Sequence, residues 1–293
     1  MASWAKILSV IESGFILVGT DGSHRARYAL LEAARIAQLF GAPLRVLSAY
    51  SPLLAIMAYD PEPPKEEIER IETLLEDSRK LIRSTYPDVA VETSWVLGEP
   101  ANVLIDASRD ARLLIVGARG QGAVHRMLVG SVATKVATRA ACPTFVVRDG
   151  DYDREGPITV GLGPEETSIG ALEIGFHLAR AEGTTVHALR AHQHSATGVT
   201  NIPEGHRREW LEGEIQKSVD LSRGYFDQVQ TKYPDVTGEF VHLQAHATDC
   251  LIDASTSSRL LVVAPNGTSM TNRALGSVAL AVLHHAPAVL IAR

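Results

Sequence analysis

The second half of this chain repeats the first, and this duplication restricts the possible folds more than any other feature. Leu251-Ile252-Asp253-Ala254-Ser255 repeats Leu104-Ile105-Asp106-Ala107-Ser108, and Gly276-Ser277-Val278-Ala279 repeats Gly130-Ser131-Val132-Ala133. The matches occur in the same order in both halves, with a polar linker at 148–156 between them. Similarity of this kind indicates a duplicated domain. We therefore predict two domains, residues 1–150 and 151–293, each of ordinary size.

Apolar segments alternate with amphipathic segments within each half. In the first half, short apolar runs predict five strands, at residues 16–19, 44–50, 89–96, 113–116 and 143–147. Helical spacing of apolar residues predicts helices between them, around residues 26–37, 66–86, 99–109 and 131–141. Alternation of this kind is typical of a parallel sheet covered on both faces. We predict an α/β fold with two tandem flavodoxin-like domains, each a doubly wound, five-stranded parallel sheet of strand order 3-2-1-4-5.

The predicted strand order places a candidate ligand site at the ends of strands 1 and 4. These strands are neighbours at the point where the chain reverses direction, and ligands bind at such switch points. Asp21 follows strand 1, while Gly117 ends strand 4 and begins a glycine-bearing loop that leads to a helix at Gly130-Ser131. Glycines and a helix N-terminus bring N–H groups and positive partial charge to an anion such as phosphate. The alternative for the glycine-bearing loop is an ordinary strand–loop–helix connection with a Ser N-cap. The alternative for Asp21 is a turn acceptor that caps the first helix.

These segments resemble the universal stress protein family, in its tandem form. The resemblance rests on Asp21-Gly22-Ser23, on the spacing Gly117-x2-Gly120-x9-Gly130-Ser131, and on the strand that closes the domain at residues 141–148. It covers nearly the whole chain, twice. The spacing is specific when it follows a strand and begins a helix, whereas a lone glycine motif is not.

The resemblance implies an ATP site in the first domain, with Mg²⁺ as a further partner of the phosphates. Carried over by position, the phosphates would contact Gly120, Gly130, Ser131 and the backbone of Val132. The ribose would contact Gly117 and Asp21, in the turn that also contains Gly22. The backbone of Ala49 would read the adenine edge. A P-loop lysine is missing, so amides, Mg²⁺, Arg119 or Arg126 would balance the phosphate charge.

The second half departs from this pattern. Gly163-Pro164-Glu165 stands where Asp21-Gly22-Ser23 stood, and Ala264 replaces Gly117. Gly267 matches Gly120, but eight residues rather than nine separate it from Gly276. The methyl group of Ala264 would crowd the sugar, and the carboxylate of Glu165 would make the opposite wall of the site less favourable for anions. We therefore expect ATP to bind weakly or not at all in the second domain.

Three functions are consistent with these features. The leading one is a non-catalytic, ATP-binding regulatory protein of the stress response, because no base that would activate water is evident. The second is a slow ATPase or nucleotide hydrolase, which rests on analogy between folds. The third is an assembly protein with little nucleotide dependence. In it the fifth strands at 145–147 and 289–291 pair the two domains, and two chains form a homodimer.

Composition excludes several other classes. A net charge of -6 without a basic run argues against nucleic-acid binding, and no apolar run approaches the roughly 20 residues that span a bilayer. Residues 1–12 lack a basic signal-peptide start, so we expect a short docking helix there and a cytoplasmic location. The two cysteines, Cys142 and Cys250, lack the spacing of a zinc site, and Cys142 is expected to be buried. The histidine pairs at 192–194 and 284–285 lack a third ligand, so we predict no metal site.

Overall fold

A computed structural model describes residues 14–51, 63–120, 129–148, 154–193, 204–265 and 275–293, with side chains from 209 onward in the fifth of these ranges. The chain divides into two compact units, Met1–Arg154 with Arg293, and Glu155–Ala292. The predicted docking helix at the N-terminus lies outside the described residues. Among the helices that the structure describes, none combines the length and the hydropathy needed to cross a bilayer.

The first unit is a parallel sheet with helices in the connections. Its strand order is β3-β2-β1-β4-β5, which confirms the predicted order 3-2-1-4-5. The element bounds differ by only a few residues from those predicted. The elements are β1 (Phe15–Gly19), α1 (His24–Leu39), β2 (Leu44–Tyr50), α2 (Lys65–Thr85), β3 (Val91–Leu97), α3 (Pro100–Ala107), β4 (Ala111–Gly117), α4 (Ser131–Arg139) and β5 (Thr144–Val147).

The second unit repeats this arrangement. Its strand order is β8-β7-β6-β9-β10 with every neighbouring pair parallel, which is again the order 3-2-1-4-5. The elements are β6 (Ile158–Gly161), α5 (Thr167–Glu182), β7 (Val186–His192), α6 (Glu204–Gln230), β8 (Gly238–Gln244), α7 (Ala247–Thr256), β9 (Leu260–Val263), α8 (Ser277–His285) and β10 (Ala288–Ile291).

The position of each strand in the sheet explains its sequence pattern. In β4 every residue before Gly117 is buried, because helices cover both faces of a central parallel strand. In β3, at the edge of the sheet, half-buried and exposed residues alternate, and the strand ends in exposed Val96 and Leu97. The core therefore lies along the central strands, and the carboxyl ends of these strands form the rim on which the candidate site sits.

The repeated pentapeptide supports that rim in both units. A Cβ on Gly19, at the end of β1, would lie 2.9 Å from Cδ1 of Leu104. In the second unit, a Cβ on Gly161 would lie 3.0 Å from Cδ2 of Leu251. The buried Oγ of Ser108 accepts a hydrogen bond from the Ala141 N–H at 2.8 Å. The leucine of the repeat thus packs against the strand end, and in the first unit its serine ties α3 to the segment before β5.

Candidate functional site

A cleft of about 310 Å³ opens at the carboxyl ends of β1 and β4. The loops after the two strands both line it, as the strand order predicted. Its lining also includes residues from the end of β2 and from the starts of α3 and α4. The lining residues are Gly19, Thr20, Asp21, Ala26, Leu47, Ala49, Pro100, Leu104, Val116, Gly117, Arg119, Gly120, Gly130, Ser131, Val132 and Ala133.

Asp21 uses its two carboxylate oxygens in different ways. Oδ1 accepts a hydrogen bond from the Ser23 N–H at 3.0 Å, which forms a local turn. Oδ2 lies close to Gly120, at the position that a Cβ on Gly120 would take. The N-cap of α1 is Ser23, whose Oγ accepts from the Ala26 N–H at 3.2 Å. The turn role predicted for Asp21 is therefore correct, but its capping role belongs to Ser23, while the second carboxylate oxygen faces the loop across the cleft.

Gly117 is required by packing between the protein's own elements. A Cβ at this position would lie 2.9 Å from the Arg25 carbonyl carbon and 3.1 Å from the Ala26 nitrogen. Backbone atoms cannot be displaced as a side-chain tip can, so α1 starts this close to β4 only because residue 117 is glycine. The resemblance assigned Gly117 to the sugar. Its packing adds a second reason for glycine that the sequence did not reveal.

Helix α4 begins at the cleft without a side-chain cap from the described residues. Its N-cap is Gly130, so the alternative with a Ser N-cap was wrong and Ser131 is the first helical residue. The Gly130 N–H donates to the Ala118 carbonyl at 2.7 Å. The first N–H groups of a helix have no partner within it. Those of Ser131, Val132 and Ala133 belong to lining residues, and the described chain supplies no acceptor for them.

Packing does not require glycine at position 130. A Cβ there would make ordinary contacts, 3.5 Å from the Ala118 oxygen and from the Arg119 Cα. Its backbone angles, φ −75° and ψ 162°, are open to any residue. A glycine that neither sterics nor dihedral angles demand is consistent with close approach of another molecule.

The remaining predicted residues divide into three groups. Ala49 and the half-buried Arg119 line the cleft. Gly22 shapes the turn instead, since its φ is 80° and its N–H donates to Thr20 Oγ at 3.3 Å. Arg126 lies outside the described residues. The structure adds lining residues that sequence reasoning missed, among them Leu104, and the repeat of its pentapeptide was the signal that marked it.

An ion pair fixes the start of α3 beside this cleft. Glu99 Oε2 accepts from the Asn102 N–H at 3.0 Å, and its Oε1 lies 3.2 Å from the Lys135 ammonium on α4. Burial by itself would raise the pKa of Glu99, but the Asn102 N–H and the Lys135 charge outweigh it and lower the pKa. This pair joins α3 and α4, the two helices whose first turns line the cleft.

The second unit has a smaller cleft, of about 170 Å³, at the matching place. Glu165 lines it, as expected, and its Oε2 lies over the Cα of Gly163, where a Cβ would stand. Helix α6 holds this loop, because Ser222 Oγ donates to the Gly163 carbonyl at 3.0 Å. Helix α8 starts at Gly276 without a side-chain cap from the described residues, and Arg190 contributes a cation to the lining. Gly267 lies outside the described residues.

Comparison with known proteins identifies the family. The family model described as "Universal stress protein family" matches residues 15–148 and again residues 156–293. The universal stress protein Rv2005c of Mycobacterium tuberculosis is 27% identical over 95% of this chain and 96% of that protein.

Solved structures agree with this assignment at the level of the fold. A universal stress protein from Archaeoglobus fulgidus has 16% identity and a TM-score of 0.66, with 97% of each chain covered. A universal stress protein solved in complex with cAMP is 27% identical over 46% of this chain and 96% of its own, with a TM-score of 0.37. With two matches to the family model that together span nearly its whole length, the chain belongs to the universal stress protein family and carries the family's domain twice in tandem.

Proposed function

We propose that the first unit binds ATP, accompanied by Mg²⁺, and that the protein acts as a nucleotide-responsive regulator in the stress response. One observation carries the proposal. The uncapped start of α4 lies in the same cleft as the Asp21 carboxylate, beside a glycine that packing does not require. Unpaired helix amides suit phosphate oxygens, and a carboxylate suits the hydroxyls of a ribose.

Each part of the nucleotide has a candidate contact among the described residues. The N–H groups of Ser131 and Val132 would hold phosphate oxygens, with the Arg119 guanidinium as a balancing charge. The Asp21 Oδ2 would accept from the ribose. The base would lie toward Ala49 at the end of β2, where Leu47 and Leu104 give the cleft an apolar floor. ATP fits this set of donors, acceptors and apolar surface.

The test is calorimetric titration of the full chain with Mg-ATP, compared with two matched variants. We expect one ATP per chain. Gly130→Asp should lower the affinity at least about tenfold, a loss near 1.4 kcal/mol, because the new carboxylate would cap α4 and repel phosphate. Its backbone angles suit aspartate, so the fold should survive. Gly276→Asp makes the same change at the start of α8 and should leave ATP binding unaltered. Two equal sites, no binding, or an unaffected Gly130→Asp variant would contradict the proposal.

Binding without rapid turnover is the second part of the proposal. The described lining of the cleft includes one carboxylate, Asp21, and one of its oxygens is engaged in the turn to Ser23. We expect Mg-ATP to remain intact for many binding lifetimes. Steady release of phosphate that Asp21→Asn abolishes, with ATP affinity retained, would favour the slow hydrolase instead.

Occupancy should also stabilise the first unit. At an ATP concentration near 100 times Kd, binding contributes about 2.7 kcal/mol. A rise in Tm of several degrees should follow for a unit of this size. Pairing of β5 with β10, a homodimer and a cytoplasmic location stay predictions. Sedimentation with and without ATP would test the homodimer and its nucleotide dependence together.

A further inference from the structure

The second cleft is lined by the guanidinium of Arg190, whose counterpart in the first unit is the buried Ser48. Arg190 is the fifth residue of β7, and Ser48 is the fifth residue of β2. The two strands pair in the same register with the first strand of their sheets, since Ile16 lies opposite Leu44 and Ile158 opposite Val186. Arg190 is therefore a substitution at an equivalent position, beside the rim of the cleft.

The hydrogen bonds of Arg190 are to neutral groups. Nη1 donates to the carbonyls of Leu162 and Ala191 at 3.3 and 3.4 Å, and Nη2 donates to Ser218 Oγ at 2.7 Å. Nε is buried, and no described residue accepts from it. Within the described part of the chain, no carboxylate forms an ion pair with this guanidinium. Burial lowers the pKa of Arg190 and the field of Glu165 raises it, but Glu165 stays turned toward Gly163.

A half-buried cation that no described carboxylate contacts directly points to an anion from outside. Removing a charge from water is costly unless an opposite charge accompanies it, and proteins pair or ligate nearly all such groups. Arginine forms bidentate hydrogen bonds with carboxylate and phosphate groups. The same cleft is lined by Val278 and Ala279, in the uncapped first turn of α8. Arg190 supplies the full charge, and the helix amides supply further donors.

The size of the cleft restricts the ligand. Its volume, about 170 Å³, is little more than half that of the first cleft. Arg190 covers the carbonyl of Ala191, the counterpart of Ala49, so that backbone edge is already occupied. Glu165 is an internal competitor, because its carboxylate lines the same space and repels an anion. The cleft is thus shaped for a compact oxyanion rather than a nucleotide.

We propose that the second unit binds a small oxyanion, a phosphate or carboxylate group on a compact molecule, with Arg190 as its charged contact. The two clefts then serve different ligands. This inference does not depend on ATP binding in the first unit.

The experiment is NMR titration of the full chain with inorganic phosphate, at constant ionic strength up to about 20 mM, which detects a Kd near 1 mM. Amide shifts of Val278 and Ala279 report on the second cleft, and those of Val132 and Ala133 report on the first. Acetate in a parallel series distinguishes carboxylate from phosphate recognition. We expect saturable shifts at Val278 and Ala279 with at least one of the two anions.

Four variants assign the site. Arg190→Ser should weaken this binding at least tenfold, and Glu165→Gln should strengthen it several-fold. Arg180→Ser removes the same charge from an exposed guanidinium of the second unit and should change the affinity less than twofold. Arg190→Lys keeps the charge and should retain part of the affinity if the serine variant loses structure.

Several outcomes would overturn the inference. These are the absence of shifts with either anion, shifts that survive Arg190→Ser unchanged, or an equal response to Arg180→Ser. ATP shifting the second set of amides as strongly as the first would also overturn it. Failure of the ATP proposal would be a separate result, in which the amide signals of Val132 and Ala133 do not shift when ATP is added.

Discussion

The two clefts share their supporting structure and differ in some of the residues that line them. Helices α4 and α8 begin at glycines with nearly the same backbone angles, φ −75° and ψ 162° at Gly130, and φ −65° and ψ 166° at Gly276. In both units a leucine from the repeated pentapeptide packs against the first strand's terminal glycine. The loop after that strand has diverged, and Ser48 has Arg190 as its counterpart. Apolar packing preserves the fold, so residues on the rim of the cleft can differ between the units at little cost to its stability.

The largest effect on stability and ATP affinity is expected when Gly117, at the end of the fourth strand, is replaced by the alanine that stands at the matching position 264. Gly117→Ala places a methyl against the backbone of Arg25 and Ala26, which must shift. Overpacking of this kind costs up to about 3 kcal/mol, and ATP affinity should fall at least about tenfold as the cleft deforms. Hydrogen exchange of α1 and titration with ATP measure the two effects. The reciprocal change, Ala264→Gly, should cost no more than about 1 kcal/mol. Equal losses of stability from Gly117→Ala and Ala264→Gly would contradict the proposed difference between the two units.

A second prediction separates the structural from the exposed residues of the repeated pentapeptide. Ser108→Ala removes a buried hydroxyl and leaves the N–H of the exposed Ala141 without its acceptor, which should cost about 1.5 kcal/mol. Asp106→Asn changes a mostly exposed side chain and should have almost no effect. Hydrogen exchange of α3 and α4 would measure both, since a chain with two units need not unfold in one step. A greater loss from the aspartate change would show that the pentapeptide has a role beyond packing.

A third, smaller effect compares the helices that follow the first strand of each unit. Ser23→Ala removes the side-chain cap of α1 and should cost about 1 kcal/mol. Glu166 holds the N-cap position of α5 and makes no side-chain cap hydrogen bond, so Glu166→Ala should be nearly neutral. The difference can be measured as hydrogen-exchange protection of the amides in the first turns of α1 and α5. If both variants lose the same stability, α5 is capped in a way that its geometry does not reveal.

The smallest predicted effect is the loss of helix stability at acidic pH. Because the pKa of Glu99 is lowered in the folded chain, its stabilising contribution is complete above its ordinary pKa and is lost as the pH falls through the lowered value. The carboxylate is more than a third exposed, so screening limits the effect to a few tenths of a kcal/mol. Amide protection of α3 should therefore decline below about pH 4.5, and Glu99→Gln should abolish this decline. Helix α8, which has no acidic residue in its first turn and no side-chain cap from the described residues, is the internal reference.

Much of the lining of the first cleft was predictable because strand ends and glycine loops leave local signals. Asp21, Ala49, Gly117, Gly120 and the start of α4 line one cleft, as the strand order implied. The role of Gly22 was not predictable, because whether a glycine shapes a turn or faces a ligand depends on its dihedral angles. The capping role of Ser23 depended on which of two neighbouring oxygens reaches the Ala26 N–H. Contacts of this kind are settled by fractions of an ångström.

Arg190 illustrates what escapes sequence reasoning altogether. Within β7 it is an ordinary basic residue in an apolar and basic strand, with no motif around it. Its importance comes from a register that matches it with Ser48, and from neighbours as distant in sequence as Leu162 and Ser218. A cation's need for a counter-ion becomes visible only when its burial and its partners are known.

The sequence by itself determined the duplication, the parallel α/β architecture, the strand order and the place of the first cleft. Periodicity, glycine spacing and repeated segments are properties of the chain, and they restrict the backbone before any contact forms. The tertiary structure alone decided which glycines are required by packing, which oxygen caps a helix and which half-buried guanidinium has only neutral hydrogen-bond partners. These depend on distances between residues far apart in the chain, which no local pattern encodes.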